Sequence, residues 1–220
     1  MTASHTYLDQ LPAAARYVGD ASAGEIEITS RPGSPAGNGG SRDTGVVYED
    51  EYILVVRDAV RFPSGASGTY LRIFTRSALD GPAGVMILGS RGGSLALRRM
   101  FRHATRQWEL EAPRGARSNG SPSQAARKEL VEEIGLDARA LERIGEVWPD
   151  TGLLSASVVV FWAELDDGHP VPSPEDREAL GEIVFLDRDA LRTEIGAGRL
   201  RDGITLAAIT LAQVAGKLAL

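Results

Sequence analysis

Ala125-Ala126-Arg127-Lys128-Glu129-Leu130-Val131-Glu132-Glu133-Ile134-Gly135-Leu136-Asp137 decides most of what can be read from this chain. Glu129, Glu132 and Glu133 stand at i, i+3 and i+4, and at 3.6 residues per turn they share one face of a helix. Like charges stacked this way repel by roughly 0.2–0.5 kcal/mol per pair. A cluster kept despite that cost is best explained by a bound cation, and carboxylate oxygens suit Mg²⁺ or Mn²⁺. The plainer alternative is a solvated acidic face, and the cluster alone does not choose between the two.

The flanks support a helix. Ser121-Pro122-Ser123-Gln124 offers a hydroxyl N-cap, proline at the first helical position and a glutamine three residues after the serine. Gly135 supplies a left-handed residue to end the helix. Ala126, Leu130 and Ile134 form a stripe for burial. Lys128 lies four residues before Glu132 and next to Glu129, placed to brace the carboxylates.

Upstream, Glu109 to Gly115 reads as a strand ending in a turn, with Ala116 to Gly120 as a polar loop. Strand, glycine loop and acidic helix together resemble the Nudix box, GX5EX7REUXEEXGU with U aliphatic. The matching positions are Gly115, Glu129, Leu130, Glu132, Glu133, Gly135 and Leu136. Lys128 stands where the pattern has arginine, keeping the charge without the bidentate fork. The stretch from Gly115 to Glu129 is one residue shorter than the pattern, and Gly120 or Ser121 falls at its first glutamate. Leu97 to His103 and Trp108 to Glu111 are similar to the segment before the box in ADP-ribose pyrophosphatases. Val46 to Tyr52, Asp58 to Arg61, Gly68 to Tyr70, Trp148 to Leu153, Val158 to Phe161 and Arg201 to Leu206 extend that likeness over residues 45 to 215.

The resemblance implies a divalent metal, Mg²⁺ or Mn²⁺, held by Glu129, Glu132, Glu133 and the backbone carbonyl of Arg114. It implies hydrolysis of a nucleoside diphosphate linked to another moiety, ADP-ribose or a nucleotide sugar first, and a homodimer joined by N-terminal strands. The family often takes its general base from a glutamate in the loop after the box. Here Asp150 is the only acid from residue 150 to 157, and a box glutamate is the other choice. Arg99 and Arg102 lie three apart on a strand and so face opposite sides. Arg99 is the preferred phosphate clamp, with Glu111 placed to anchor it or a metal-bound water. Tyr48, Tyr52 and Trp148 can stack on a base, though packing is the commoner use of such rings. His103 can shuttle a proton near neutral pH, although a satisfied loop histidine is commoner.

The 220 residues carry a net charge of −6 and no cysteine. That length suffices for a sizeable core. The charge argues against a nucleic-acid-coating surface, and the missing thiols exclude disulfide and thiolate-metal chemistry. No basic n-region with an apolar core opens the chain, and no apolar run approaches a membrane span. These features lead to the expectation of a cytoplasmic protein with neither nucleic acid nor membrane as partner, and the resemblance implies a small nucleotide-type substrate.

Three segments are expected. Residues 1–43 form a flexible N-terminal segment with a short helix around Leu8 to Tyr17 and a Gly/Ser/Pro-rich linker from Ser30 to Asp43. Residues 44–80 form an antiparallel unit, with strands at Val46 to Val56, Ala59 to Phe62 and Tyr70 to Thr75. Residues 81–220 form the Nudix domain. Its strands are expected at Val85 to Leu88, Ser94 to Phe101, Leu141 to Trp148, Ser157 to Glu164 and Ile183 to Leu186. Helices follow at Asp187 to Glu194 and Thr205 to Leu218. The fold class is α/β, an α/β/α sandwich around a mixed sheet. A different functional class remains open at this point: a catalytically silent Nudix fold that binds a nucleotide as a sensor or interaction module. The shortened loop and Lys128 favour it, and retention of three helix glutamates opposes it.

Overall fold

The computed structural model describes residues 7–29, 44–116, 120–172 and 179–220. The expected linker, residues 30–43, and positions 117–119 of the loop before the acidic helix lie outside the described residues. The chain forms two compact units. The first comprises residues 1–81 with 150–156, and the second residues 82–149 with 157–220.

The first unit is an antiparallel sheet. Strand β3 (Ile53–Arg61) pairs with β1 (Glu27–Ile28) and β2 (Gly45–Glu49) along one edge and with β4 (Ser67–Thr75) along the other. The period-two alternation of β3 buries Leu54, Val56, Asp58 and Val60. Leu11, Leu54, Val56 and Phe74 make its core. Asp58 is a carboxylate at an inward position, and it is matched there. It accepts from Arg72 Nε at 2.6 Å and Nη2 at 3.1 Å, and from the Tyr7 hydroxyl.

Two expectations need correcting in this unit. The first strand ends at Glu49, not Val56, because Asp50 Oδ1 accepts from the N–H groups of Tyr52 and Ile53 at 2.8 Å each and closes a turn. The charged pair Arg57-Asp58 is no break, since Asp58 finds its partners inside. The expected helix from Leu8 to Tyr17 is two 3₁₀ turns, Tyr7–Gln10 and Ala13–Arg16. Pro12 lies between them, at φ −54° and ψ 149°, and proline denies helical geometry to the residue before it.

The second unit is a seven-stranded sheet in the order β11-β6-β5-β10-β9, with β7 added to β6 and β8 to β5. Its strands are β5 (Gly84–Arg91), β6 (Ser94–Arg102), β7 (Gln107–Glu111), β8 (Arg114–Ala116), β9 (Ala138–Val147), β10 (Val158–Leu165) and β11 (Leu180–Leu186). Only β5 and β10 run parallel, so the sheet is mixed. Helix α1 (Pro122–Glu129) and the wider turn that continues it cover one face, where Ala126, Leu130 and Ile134 meet Val85, Ile87 and Phe161. Helices α2 (Arg188–Gly196) and α3 (Gly203–Val214) cover the other, where Leu191, Ala208 and Ala212 meet Met86, Leu88 and Trp162. This is the expected α/β/α sandwich with an antiparallel strand unit. Among the described residues no helix is long and apolar enough to cross a membrane.

The helix signals hold at both ends. Ser121 Oγ accepts from Gln124 N–H, Gln124 Oε1 accepts from Ser121 N–H at 2.9 Å, and Pro122 occupies the first turn. Gly135 is left-handed at φ +75°. Ser121→Ala is expected to lower stability by ~1 kcal/mol, read from the midpoint of urea unfolding. What regular α periodicity did not predict is the last turn. Leu130–Ile134 is π-helical, and Gly135 N–H reaches back to Leu130 as well as Val131.

Candidate active site

Strand β8 is where the site begins. It lies against β5, pairing Gly84 with Ala116 and Met86 with Arg114. Gly115 has no room for a side chain on its helix-facing side: a Cβ there would sit 2.0 Å from Glu129 Oε1 and 2.1 Å from its carboxyl carbon. The Glu129 carboxylate therefore rests directly on the β8 backbone. One residue back, Arg114 N–H points at Glu133 Oε1 at 3.4 Å. Two carboxylates of the acidic helix thus face one strand.

Glu132 goes elsewhere. It pairs with Lys128 Nζ at 3.0 Å and stays partly exposed, while Glu133 is wholly buried. The π turn explains this divergence, because a wider turn rotates successive residues by less than an α-helix does. The expectation that all three glutamates share one face is corrected to two inward and one braced at the surface. Among the described residues no three acidic or histidine side chains stand close enough to hold an ion as they are placed. The donor chemistry still fits a hard divalent cation, since Glu129, Glu133 and the β8 carbonyls are all oxygen donors beside one strand. Arg114, expected to lend its carbonyl, does lie on that strand.

A second layer of charge surrounds the strand. Register pairs Arg98 with Glu111 and Met100 with Glu109, which puts Arg98, Glu109 and Glu111 on one face. Buried Arg98 donates from its guanidinium to the Glu133 carbonyl. Glu111, 1% exposed, accepts from Arg102 Nε at 2.9 and 3.0 Å and pairs with Arg114 Nη2 at 2.7 Å. For Arg102, burial works against the charge. Hydrogen bonding and attraction from Glu111, joined by the charges of Glu133 and Asp202, overcome it and raise the pKa above its ordinary value. Glu109 is held below the ordinary carboxylate range by the hydrogen-bonded Arg201 fork, at 2.9 and 3.0 Å.

Arg99 is therefore not the arginine beside Glu111. It lies opposite Leu110, on the other face of the sheet, and is bound to Glu182 at 2.8 Å. The rule that Arg99 and Arg102 face opposite sides holds, but the inward member is Arg102. Trp148 is half-exposed just beyond β9. In the first unit, Tyr48 is half-exposed and donates to Asp50 at 2.8 Å. Asp150, in that same unit, uses its carboxylate on Gly152 N–H at 2.9 Å and its carbonyl on Leu154 N–H at 2.8 Å, as a turn-former does. His103 lies in the β6–β7 turn with Arg106 2.8 Å from its Nδ1. Sequence reasoning missed Arg98 and Asp202 and set Arg102 behind Arg99. The spacing of Glu109 and Glu111 by two on a strand was the available signal for the first two. Nothing local pointed to Asp202.

A family model described as NUDIX domain matches residues 80–204. That is more than half of the chain, which belongs to the Nudix family. Members of the family generally use divalent metal ions. The chain is 28% identical over 110 residues to a GDP-mannose pyrophosphatase of Yersinia enterocolitica, covering 50% of this chain and 58% of that one. It is 27% identical over 145 residues to a GDP-mannose pyrophosphatase of Cronobacter sakazakii, covering 61% and 74%. The chain thus spans little more than half the length of the Yersinia relatives it matches. Among solved structures, one described as an ADP compounds hydrolase superposes with a TM-score of 0.64 over 80% of this chain and 95% of that one. At 22% identity that likeness concerns the fold.

Gly115→Ala separates site from scaffold. The new methyl meets the far end of a flexible side chain, so Glu129 swings away and the fold survives. The expected result is a fall in turnover of ~10- to 100-fold with a melting temperature close to wild type. A large loss of stability with normal turnover in the surviving fraction would contradict it.

Proposed function

We propose that this chain hydrolyses a nucleoside diphosphate linked to another moiety, with ADP-ribose and nucleotide sugars such as GDP-mannose as first candidates, releasing a nucleoside monophosphate and a sugar phosphate. The observation that carries the reading is the seating of the Glu129 carboxylate on Gly115, beside Glu133 on Arg114 N–H, within a Nudix domain. The names of the similar proteins support a diphosphate linkage and leave base and sugar open.

Glu129 and Glu133, with the β8 backbone, would hold Mg²⁺ or Mn²⁺, and Glu132 would join on releasing Lys128. Such an ion supplies charge neutralisation at phosphoryl oxygens and acidifies a bound water. A base drawn from the box carboxylates is favoured over Asp150, whose carboxylate already holds its own turn. Trp148 is an exposed face for a base to stack on. Location in the cytoplasm and pairing into a homodimer belong to the same reading, and sedimentation at micromolar concentration tests the second.

The test is turnover of ADP-ribose and GDP-mannose with millimolar Mg²⁺ or Mn²⁺, scored for AMP or GMP against Glu129→Gln. Metal-dependent release by wild type alone supports the proposal. No release from either substrate or from a wider diphosphate panel, with saturable nucleotide binding, would replace it by the silent sensor.

A further inference from the structure

Arg114 carries two kinds of contact. Its backbone belongs to the site: the N–H faces Glu133, and the next residue is the glycine under Glu129. Its guanidinium points away, to Glu111 at 2.7 Å and to Asp202 at 3.1 and 3.2 Å. Asp202 is the N-cap of α3. Its Oδ2 accepts from Thr205 N–H at 2.8 Å and from the Thr205 hydroxyl at 2.7 Å. Thr205 is fully buried, and its Oγ1 accepts in turn from Ala112 N–H at 3.1 Å.

These bonds close on one short segment. Ala112 and Pro113 are the whole connection from β7 to β8. The Ala112 amide is held by α3, the Pro113 carbonyl by Ile87 N–H at 2.9 Å, and the Arg114 amide by Glu133. The Arg114 side chain ties the same segment to the α3 cap a second time. A cap requires only a short acceptor. A carboxylate spanning both a helix cap and a guanidinium does more, because it fixes how far β8 stands from α3.

We propose that Asp202, acting through the Arg114 guanidinium, is a positioning residue that sets where β8 presents its backbone to Glu129 and Glu133. This rests on the metal-site reading of those carboxylates given above. A residue some ninety positions from the strand it positions thus becomes part of the site's support. Buried charged networks position neighbouring groups well only when every member is satisfied. Here Glu111 and Asp202 share Arg114, so removing Asp202 leaves the guanidinium anchored on one side only.

Asp202→Ser is the discriminating variant. Serine caps a helix about as well as aspartate, but it is too short to reach Arg114. Mn²⁺ binding is measured by calorimetry on the full chain, and amide hydrogen exchange is followed over residues 111 to 116 and along α3. The expected result is a ~10- to 100-fold weaker Mn²⁺ affinity and at least ~10-fold faster exchange at Arg114 and Gly115, with α3 protection and unfolding midpoint unchanged. Arg114→Ala, which gives up the Glu111 anchor as well, should show at least that loss, and the double variant should be no worse than Arg114→Ala. Wild-type affinity and exchange in Asp202→Ser, or additive losses in the double variant, would overturn the proposal. If wild type binds no Mn²⁺ and cleaves no diphosphate, the functional reading fails. The exchange comparison then still decides whether Asp202 positions β8.

Discussion

Glu133→Gln is expected to lower kcat/KM by ~10²- to 10⁴-fold while the protein stays folded. Glutamine keeps the shape of the side chain and an oxygen that can accept from Arg114 N–H, so the change is one of charge. That charge is wholly buried, beside β8 and within reach of the Arg102 field. A carboxylate kept there without serving a cation or a proton would be a costly choice. Glu132→Gln supplies the contrast. Glu132 is partly exposed and paired with Lys128, so its loss should cost ~10-fold or less. Steady-state kinetics with matched thermal unfolding scans read both. The ranking would be refuted by a Glu132 variant as damaged as Glu133→Gln, which would mean that Glu132, once released from Lys128, carries as much of the site as Glu133.

This ranking marks the boundary of what the sequence made legible. Caps and turns are local, and they were readable: Ser121 and Gln124 bond each other, Pro122 starts the helix, and Gly135 takes the positive φ that ends it. The strands of the mixed sheet follow from apolar runs such as Val85 to Leu88, which is buried on both faces. The π turn was not legible, because Leu130 to Ile134 carries the apolar spacing of an ordinary α-helix. The choice between Arg99 and Arg102 failed for a related reason. Alternation gives two opposite faces, but which face meets Glu111 depends on the β6–β7 register. Asp202 lies beyond any sequence pattern, since its link to Arg114 exists only once α3 has packed. In the first unit, strands expected to end at Val56 and restart at Ala59 are one strand through Asp58, because the cation that matches Asp58 comes from another strand.

That last misreading leads to the largest expected stability effect. Asp58→Ala should destabilise the protein by ~3 kcal/mol, read from the shift in urea midpoint at constant m-value. Asp58 is 1% exposed and accepts from both Arg72 and Tyr7. Its removal leaves a guanidinium and a hydroxyl without that acceptor in the core of the first unit. The value is placed at the lower end of the range for breaking a buried pair, because the Arg72 side chain is 21% exposed and water can meet part of its need. Arg72 also keeps its bond to the Ala15 carbonyl at 2.8 Å. Asp58→Asn should fall between, since the amide oxygen still accepts from Tyr7 while the charge is gone. The double change Asp58→Leu with Arg72→Met should cost less than Asp58→Ala alone, because no charge is then left behind. A single variant within ~0.5 kcal/mol of wild type would show that the pair is as exposed in solution as an ordinary surface bridge.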